Sequence, residues 1–258
     1  MARKELLIDP RIGNDSVGLM LTRGQGIHLG HTALQAQMLV DNGRNIVAFG
    51  SSQKSGEFGN PFTTDQKRRA LQGLWNGAFK IIELQDIGAS DRASDWADYV
   101  FDRIARNQLP EPTDLYAGSV TEARWYRQHF ADLDGPPSFT RGAFQVWENA
   151  DTGRRIHILD RDQGLRLSAS QVRTLIEQRD PSWRDFVPAK LWDFYEWEYP
   201  PELRAAVEMP AGSWSLPEEG HYPVGTKLLG QDGEILILRD DGKWRPRTAA
   251  ESGKSLGD

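Results

Sequence analysis

Between Val17 and Ala117, short apolar runs alternate with segments whose apolar residues recur every three or four positions. That alternation is the pattern of βαβ units building a parallel sheet. Val17–Leu21 reads as the first strand and His31–Asn42 as a helix burying Leu34 and Met38, with Gly43 as its left-handed stop. Asn45–Phe49 reads as the second strand, followed by a polar loop and a helix that Thr63 or Thr64 caps and that stops near Gly77. Phe79–Leu84 is the third strand. Ser94 is the expected cap of the next helix, where Trp96, Val100 and Ile104 recur at i, i+4 and i+8, and Asp114–Ala117 is the fourth strand.

Beyond this point the pattern changes. Ala143–Glu148 and Arg155–Leu159 flank the turn residues Asp151, Thr152 and Gly153, as a hairpin or two adjacent strands would. Helices are expected from Ser170 and again from Pro188. From Pro200 the chain turns rich in Pro and Gly around the strand-like Glu234–Arg239, which reads as a small β appendage. The expected fold is therefore α/β, a Rossmann-like parallel sheet flanked by helices, in residues 1–199, with a C-terminal extension of residues 200–258.

Composition narrows the class. With 258 residues, 38% hydrophobic and 26% charged, nine Trp and ten Phe, the chain is a globular protein rather than a disordered one. Its net charge of −6 lacks the basic footprint of a nucleic-acid binder, although one nucleotide can still be held locally. The absence of Cys excludes a disulfide framework, a thiolate metal site and a Cys nucleophile, and makes the cytoplasm the expected location. MARKELLIDP has no apolar core of a leader, and no run approaches the ~20 apolar residues of a membrane span.

The densest chemistry lies where the first strand hands over to the first helix, at Thr22-Arg23-Gly24-Gln25-Gly26-Ile27-His28-Leu29-Gly30-His31. Ligands of open α/β sheets bind at such junctions. A helix N-terminus presents unpaired N–H groups and partial positive charge to phosphate, Gly30 allows close approach, and the two imidazoles can donate to phosphate oxygens. Three further strings stand out. Gly50-Ser51-Ser52-Gln53 leads to Asn60-Pro61-Phe62-Thr63 and Arg68; Gln85-Asp86-Ile87 precedes Trp96; and Leu167-Ser168-Ala169-Ser170-Gln171-Val172-Arg173 opens a helix. Taken singly, each is an ordinary helix start or core segment. His129, His157 and His221 have no partner at metal-ligand spacing and read as structural, and Asp151–Arg155 and Asp160–Asp162 read as solvated loops.

In this order and spacing, the four strings resemble the archaeal-type nicotinamide mononucleotide (NMN) adenylyltransferases of the HxGH nucleotidyltransferase superfamily. The likeness covers Val17 to Tyr195. Arg23, Gln25, His28, Gly30 and His31 match GRFQPFHxGH, while Thr22, Gly24 and Gly26 replace its Gly, Phe and Pro; the glycines raise the entropy lost on ordering the loop. The second string is similar to GSAQ…ENPFTxxER, with Gly59 in place of Glu and Lys67 read as standing before the motif's arginine, Arg68. The third is similar to QDI…W and the fourth to ISSTxxR.

The resemblance implies transfer of AMP from ATP to NMN, giving NAD and pyrophosphate. His28, His31 and Arg173 would be catalytic. Arg23, Gln25, Gly30, Arg68, Ser168 and Ser170 would bind ATP phosphates from a solvated cleft, and Ser51, Asn60, Asp86, Ile87 and Trp96 would bind NMN. Mg²⁺ would arrive with ATP, since no dedicated carboxylate cage is visible. Another HxGH transferase with a different phosphate acceptor, or a non-catalytic nucleotide sensor, are the alternatives, and self-association is open. Thr226–Arg247 faintly resembles the opening strands of a Nudix domain, but no Nudix box follows, so no pyrophosphohydrolase activity is expected. An ordering or oligomer-contact hairpin is the simpler expectation for the tail.

Overall fold

The structure is a computed structural model that describes residues 15–88, 93–159, 167–208, 222–229 and 234–248. Strands and helices alternate as β1 (Val17–Thr22), α1 (Leu29–Asp41), β2 (Arg44–Phe49), α2 (Thr64–Trp75), β3 (Lys80–Glu83), α3 (Ala93–Arg106) and β4 (Asp114–Ala117). There follow α4 (Val120–Ala123), β5 (Phe139–Arg141), β6 (Phe144–Glu148), β7 (Arg155–Leu159), α5 (Ala169–Glu177) and α6 (Trp192–Glu198). The tail holds β8 (Val207–Glu208), β9 (Lys227–Leu229), β10 (Ile235–Leu238) and β11 (Trp244–Pro246).

The main sheet runs β3-β2-β1-β4-β7-β6-β5. From β3 to β7 it is parallel, and β6 and β5 add antiparallel strands at one side. From β1 the chain builds outward through β2 and β3 and then returns to place β4 on the other side of β1, so strand order reverses between β1 and β4. A crevice opens at the carboxyl ends of strands at such a point.

Both faces of the sheet are buried, as parallel sheets require. Val17 and Leu19 pack with Ile46, Ile82, Val100 and Ile104 on one side, and Met20 packs with Leu34, Met38, Val47 and Leu71 on the other. A third, aromatic cluster joins Ile27, Phe62, Val172, Trp183, Tyr195 and Tyr199. It lies beneath the segments that form the site.

Several boundaries differ from the sequence reading for identifiable reasons. Helix α1 starts at Leu29 rather than His31, because His28 is its N-cap. Gly43 is not a left-handed stop: Asn42 is already extended at φ −126°, and the chain passes straight into β2. Thr63 caps α2, which ends on left-handed Asn76 and Gly77. Helix α3 starts at Ala93, so Ser94 lies inside it rather than before it. After Pro188 the chain forms a 3₁₀ turn, Ala189–Leu191, before α6. Neither β5 nor α4 has a local signal, each being four residues or fewer. His221, Asp160–Asp162 and MARKELLIDP lie outside the described residues.

The tail forms a sheet of its own, β11-β10-β9-β8, so it holds more than one hairpin. Its link to the main domain is well tied. Arg204 is buried and donates from Nη2 to the carbonyls of Tyr195 (2.5 Å) and Glu196 (2.7 Å), while Ala205 N–H donates to Glu177 O at 2.6 Å. The chain is thus still bonded to the main domain at Ala205, six residues past position 199.

Candidate active site

Two clefts meet over the carboxyl ends of β1 and β4. One, of about 370 Å³, is lined by Arg23, Gly24, His28, His31, Ser168 and Arg173, with neighbouring residues of the same loops. The other, of about 760 Å³, is lined by Ser51, Lys54, Asp86, Trp96, Trp125 and Tyr126 among others. Leu21, Thr22, Arg23, Tyr116 and Glu122 line both, so the clefts are contiguous.

The first cleft is built by two helix N-termini. His28 Nδ1 accepts from Gly30 N–H at 3.1 Å, and His28 N–H points at His31 Nδ1 at 3.5 Å. With both Nδ1 atoms accepting, the neutral rings carry their proton on Nε2, an assignment made from the hydrogen-bond network. His31 Nε2 then donates to Thr22 Oγ1 at 3.3 Å, and the two rings lie 4.0 Å apart. A side chain at Gly30 would meet the His28 ring at 2.9 Å, so this glycine makes room for the histidine pair.

At the second helix, Ser168 caps α5: its Oγ accepts from Gln171 N–H at 3.2 Å. Arg173 donates to Gln25 O at 3.2 Å and to Ser170 Oγ at 3.0 Å, joining positions 148 residues apart. Gly26 presses onto the first turn of α5, where a Cβ would lie 3.1 Å from that of Ala169. Gly26, in place of a bulkier residue, thus lets the two N-termini approach, while Gly24 leaves room for Phe49 and Lys67. Burial pushes the Arg173 guanidinium below its usual range, and the like charge of Arg23 adds to this against the opposing Tyr199 and Glu177. An anion between Arg23 and Arg173 would relieve both.

Gln25 does not reach into the cleft with its amide. It pairs with the backbone of Phe62, accepting from Phe62 N–H at 2.9 Å and donating to Phe62 O at 3.1 Å. From below, Tyr195 OH donates to Ile27 O at 3.1 Å. The histidine loop is therefore anchored to the segment before α2 and to α6.

Arg68 does not reach the phosphate cleft expected of it. Its guanidinium is ion-paired with Glu83 and lines neither cleft. Thr63 and Gln66 form a capping box, and the next residue, Lys67, lies on the buried face of α2 with Ala70 and Leu71. Counted without a gap from Asn60, the arginine of ENPFTxxER falls on Lys67. Lys67 is 1% exposed, its stem passes under Gly24, and Nζ lies 5.4 Å from the Phe49 ring with no hydrogen-bond partner among the described residues. Burial outweighs the attraction of Glu83 and lowers its pKa from 10.5 to about 8.

In the second cleft, Ser51 holds a left-handed φ of 50° and donates to Asp86 at 2.8 Å. Trp96 forms a wall and donates from its indole to Tyr126 OH at 2.6 Å, and it also packs on the core. Asn60 and Ile87 line neither cleft: Asn60 is buried and donates to Glu57 at 2.8 Å, and Ile87 is exposed. Lys54, Glu122 and Trp125 lie on the cleft walls without being singled out by the sequence. They sit in loops and short turns that carry no periodic signal.

No family model matches the chain. It is similar to the nicotinamide-nucleotide adenylyltransferases of Thermococcus sibiricus (23% identity) and Thermococcus kodakarensis (24%), each over 183 residues. The match covers 69% of this chain and 81% and 80% of theirs. Among solved structures, a NadR protein in complex with NAD and AMP-PNP matches 75% of this chain and 48% of its own, with TM-score 0.46 and 15% identity. A bifunctional NMN adenylyltransferase/ADP ribose pyrophosphatase from Francisella tularensis, complexed with AMP and a Mn ion, matches 63% and 41%, with TM-score 0.45 and 14% identity. The chain thus spans about half the length of these two structures. Its resemblance to archaeal NMN adenylyltransferases is borne out by the sequence relatives.

Proposed function

We propose that the chain transfers the adenylyl group of ATP to NMN, releasing pyrophosphate and forming NAD. The observation that carries this reading is the convergence of two helix N-termini on one cleft, with His28, His31, Arg23 and Arg173 around it and an aromatic cleft alongside. A 5′-phosphate oxygen of the mononucleotide attacks the α-phosphorus of ATP in line, the bond to the bridging oxygen breaks, and the electron pair leaves with pyrophosphate. No protein nucleophile is needed. Alignment and neutralisation of developing charge suffice, which is work for imidazole, guanidinium and backbone N–H donors.

In this reading His28 and His31 donate to the triphosphate, Arg23 and Arg173 hold its outer phosphates, and Lys67 adds positive charge from beneath Gly24. Ser168 and Ser170 shape the cradle, while Gln25 and Gly30 position the loop. Mg²⁺ fits this donor set only as a companion of ATP: among the described residues no group of three His, Asp or Glu could hold it, and Glu122 is the carboxylate shared by both clefts. Bound there, the ion would neutralise phosphate charge.

The decisive assay combines ATP, Mg²⁺ and NMN and reads NAD. Pyrophosphate release with another phosphate acceptor, and none with NMN, would overturn the choice of acceptor. Trp96→Ala should raise the Michaelis constant for the mononucleotide at least about fivefold more than that for ATP, as loss of a ring-stacking contact does; equal changes in both would remove Trp96 from the pocket. A chain stopped after Glu208 keeps Tyr195, Arg204 and Ala205, so it should still bind ATP. If that truncated protein is folded but blind to nucleotide, the tail belongs to the site.

A further inference from the structure

Where the two clefts meet they share Leu21, Thr22, Arg23, Tyr116 and Glu122, and of these Arg23 and Glu122 carry charge at neutral pH. A group bordering both clefts lies where the phosphates of two substrates must come together. Arg23 is what an anion requires at that place. A carboxylate beside it is a liability, because it repels every phosphate that enters.

Glu122 is nevertheless held there firmly. Ser119 Oγ caps its turn by accepting from Glu122 N–H at 3.2 Å, Ala123 is buried in the core, and Tyr126 OH accepts from the Trp96 indole at 2.6 Å. The turn is thus fixed from its inner side, and the Glu122 side chain is left exposed. Its carboxylate makes no hydrogen bond or ion pair among the described residues. Asp86, the other carboxylate on the cleft walls, accepts from Ser51 at 2.8 Å and pairs with Lys54 at 2.9 Å. Of the two, Glu122 is the one with both oxygens to give.

We propose that Glu122 is the protein's own ligand to the divalent cation that arrives with ATP, and that it fixes this ion at the junction of the clefts. This rests on the reading of the first cleft as the ATP site. Mg²⁺ is commonly held by one or two carboxylates together with substrate phosphates and water. Among the described residues no three His, Asp or Glu could hold an ion by themselves, so the ion exchanges a water for Glu122 only when ATP supplies its other oxygens. A cation between carboxylate and phosphate turns their repulsion into attraction. A ribose, whose hydroxyls can also donate to a carboxylate, would lie within one cleft rather than on the border of both.

The test uses the full chain, Mn²⁺ as the ion and α,β-methylene-ATP, which cannot pass on its adenylyl group. Free Mn²⁺ is read by electron paramagnetic resonance, and binding of the metal-free nucleotide in EDTA by calorimetry. Mn²⁺ should bind the wild type much more tightly with the nucleotide than without it. Glu122→Gln should weaken Mn²⁺ in the complex about tenfold, a modest factor because the group is exposed and a water can take its place. The same variant should bind the metal-free nucleotide about twofold to threefold more tightly, since the repulsion is gone. Glu122→Asp, which keeps the charge, should hold Mn²⁺ more tightly than Glu122→Gln does. Both variants should fold, the side chain being exposed.

This opposite response to metal is what no other role for Glu122 produces. Equal weakening with and without metal would make it a ligand of nucleotide hydroxyls and overturn the proposal. Equal tightening under both conditions would make it a charge that only opposes phosphate, and would overturn it too. A wild type that binds the nucleotide in neither condition refutes the reading of the cleft, and the proposal falls with it.

Discussion

Alanine at His31 or at Arg173 should each lower NAD synthesis by about 10²–10³, the loss seen when one donor to developing charge is removed. The two side chains come from positions 142 residues apart (173 − 31) and meet only because α1 and α5 point their N-termini into one cleft. Acting on the same charge, they should be subadditive: the double variant should lose less than the product of the single losses. Their effects on stability should differ. His31 lies on a partly open rim, so its loss should cost about 1 kcal/mol or less. Arg173 is 8% exposed and holds the Gln25 carbonyl, so alanine there should cost roughly 1–3 kcal/mol through the acceptor it strands. Thermal melts alongside rates separate the two effects. Near-normal synthesis by either folded single variant would sink the proposed site.

Lys67→Met should weaken ATP binding by about 3–10-fold, through loss of positive charge behind the cleft wall rather than of a direct contact, since Lys67 lines neither cleft, while making the empty protein more stable. A buried ammonium without a hydrogen-bond partner is costly, and methionine of similar length removes that cost. The sign follows from proton linkage. Lys67 titrates at about 8 in the folded protein against 10.5 for an ordinary lysine. Between those values the unfolded chain binds the extra proton, so wild-type stability should rise with pH through that window, and the full cost is present below about pH 8. At pH 7 the variant should gain on the order of 2 kcal/mol, and its stability should lose the wild-type upward slope above pH 8. Urea unfolding at pH 7 and pH 10 checks both. Arg68→Ala, which leaves the clefts untouched, should change ATP affinity less than about threefold. A larger loss from Arg68 than from Lys67 would reverse the assignment.

What the sequence made legible is what short-range pattern encodes. The β1–loop–α1 junction, the alternation through β4 and the serine-capped start of α5 all follow from apolar periodicity and turn chemistry. The rest depends on contacts that periodicity does not carry. A histidine is an unusual N-cap, so sequence pattern alone puts the start of α1 two residues late. The inward placement of Lys67 depends on Gly24, distant in sequence, having no side chain where the lysine stem and Phe49 pack. Gln25 and Asp86 look like ligand groups from their motifs, but Phe62 and Lys54, 37 and 32 positions away, already engage them. Composition shifts after residue 199, whereas Arg204 and Ala205 still bind back to Tyr195 and Glu177, contacts that composition does not carry.

The bracing of the histidine loop from α6 also determines when this site can exist during synthesis. Ile27 leaves the ribosome early, but the hydroxyl that holds its carbonyl arrives 168 residues later, and the Ala205 amide that ties down the end of α5 later still. Closing such long loops costs entropy that is repaid only when both partners are present. A nascent chain carrying strands β1 through β7 therefore displays sheet and unfinished cleft together, and on the proposed function it should gain nucleotide binding only once about 205 of its 258 residues have emerged. In a pulse of translation, bound nucleotide should protect chains longer than this from protease and leave shorter ones as vulnerable as before.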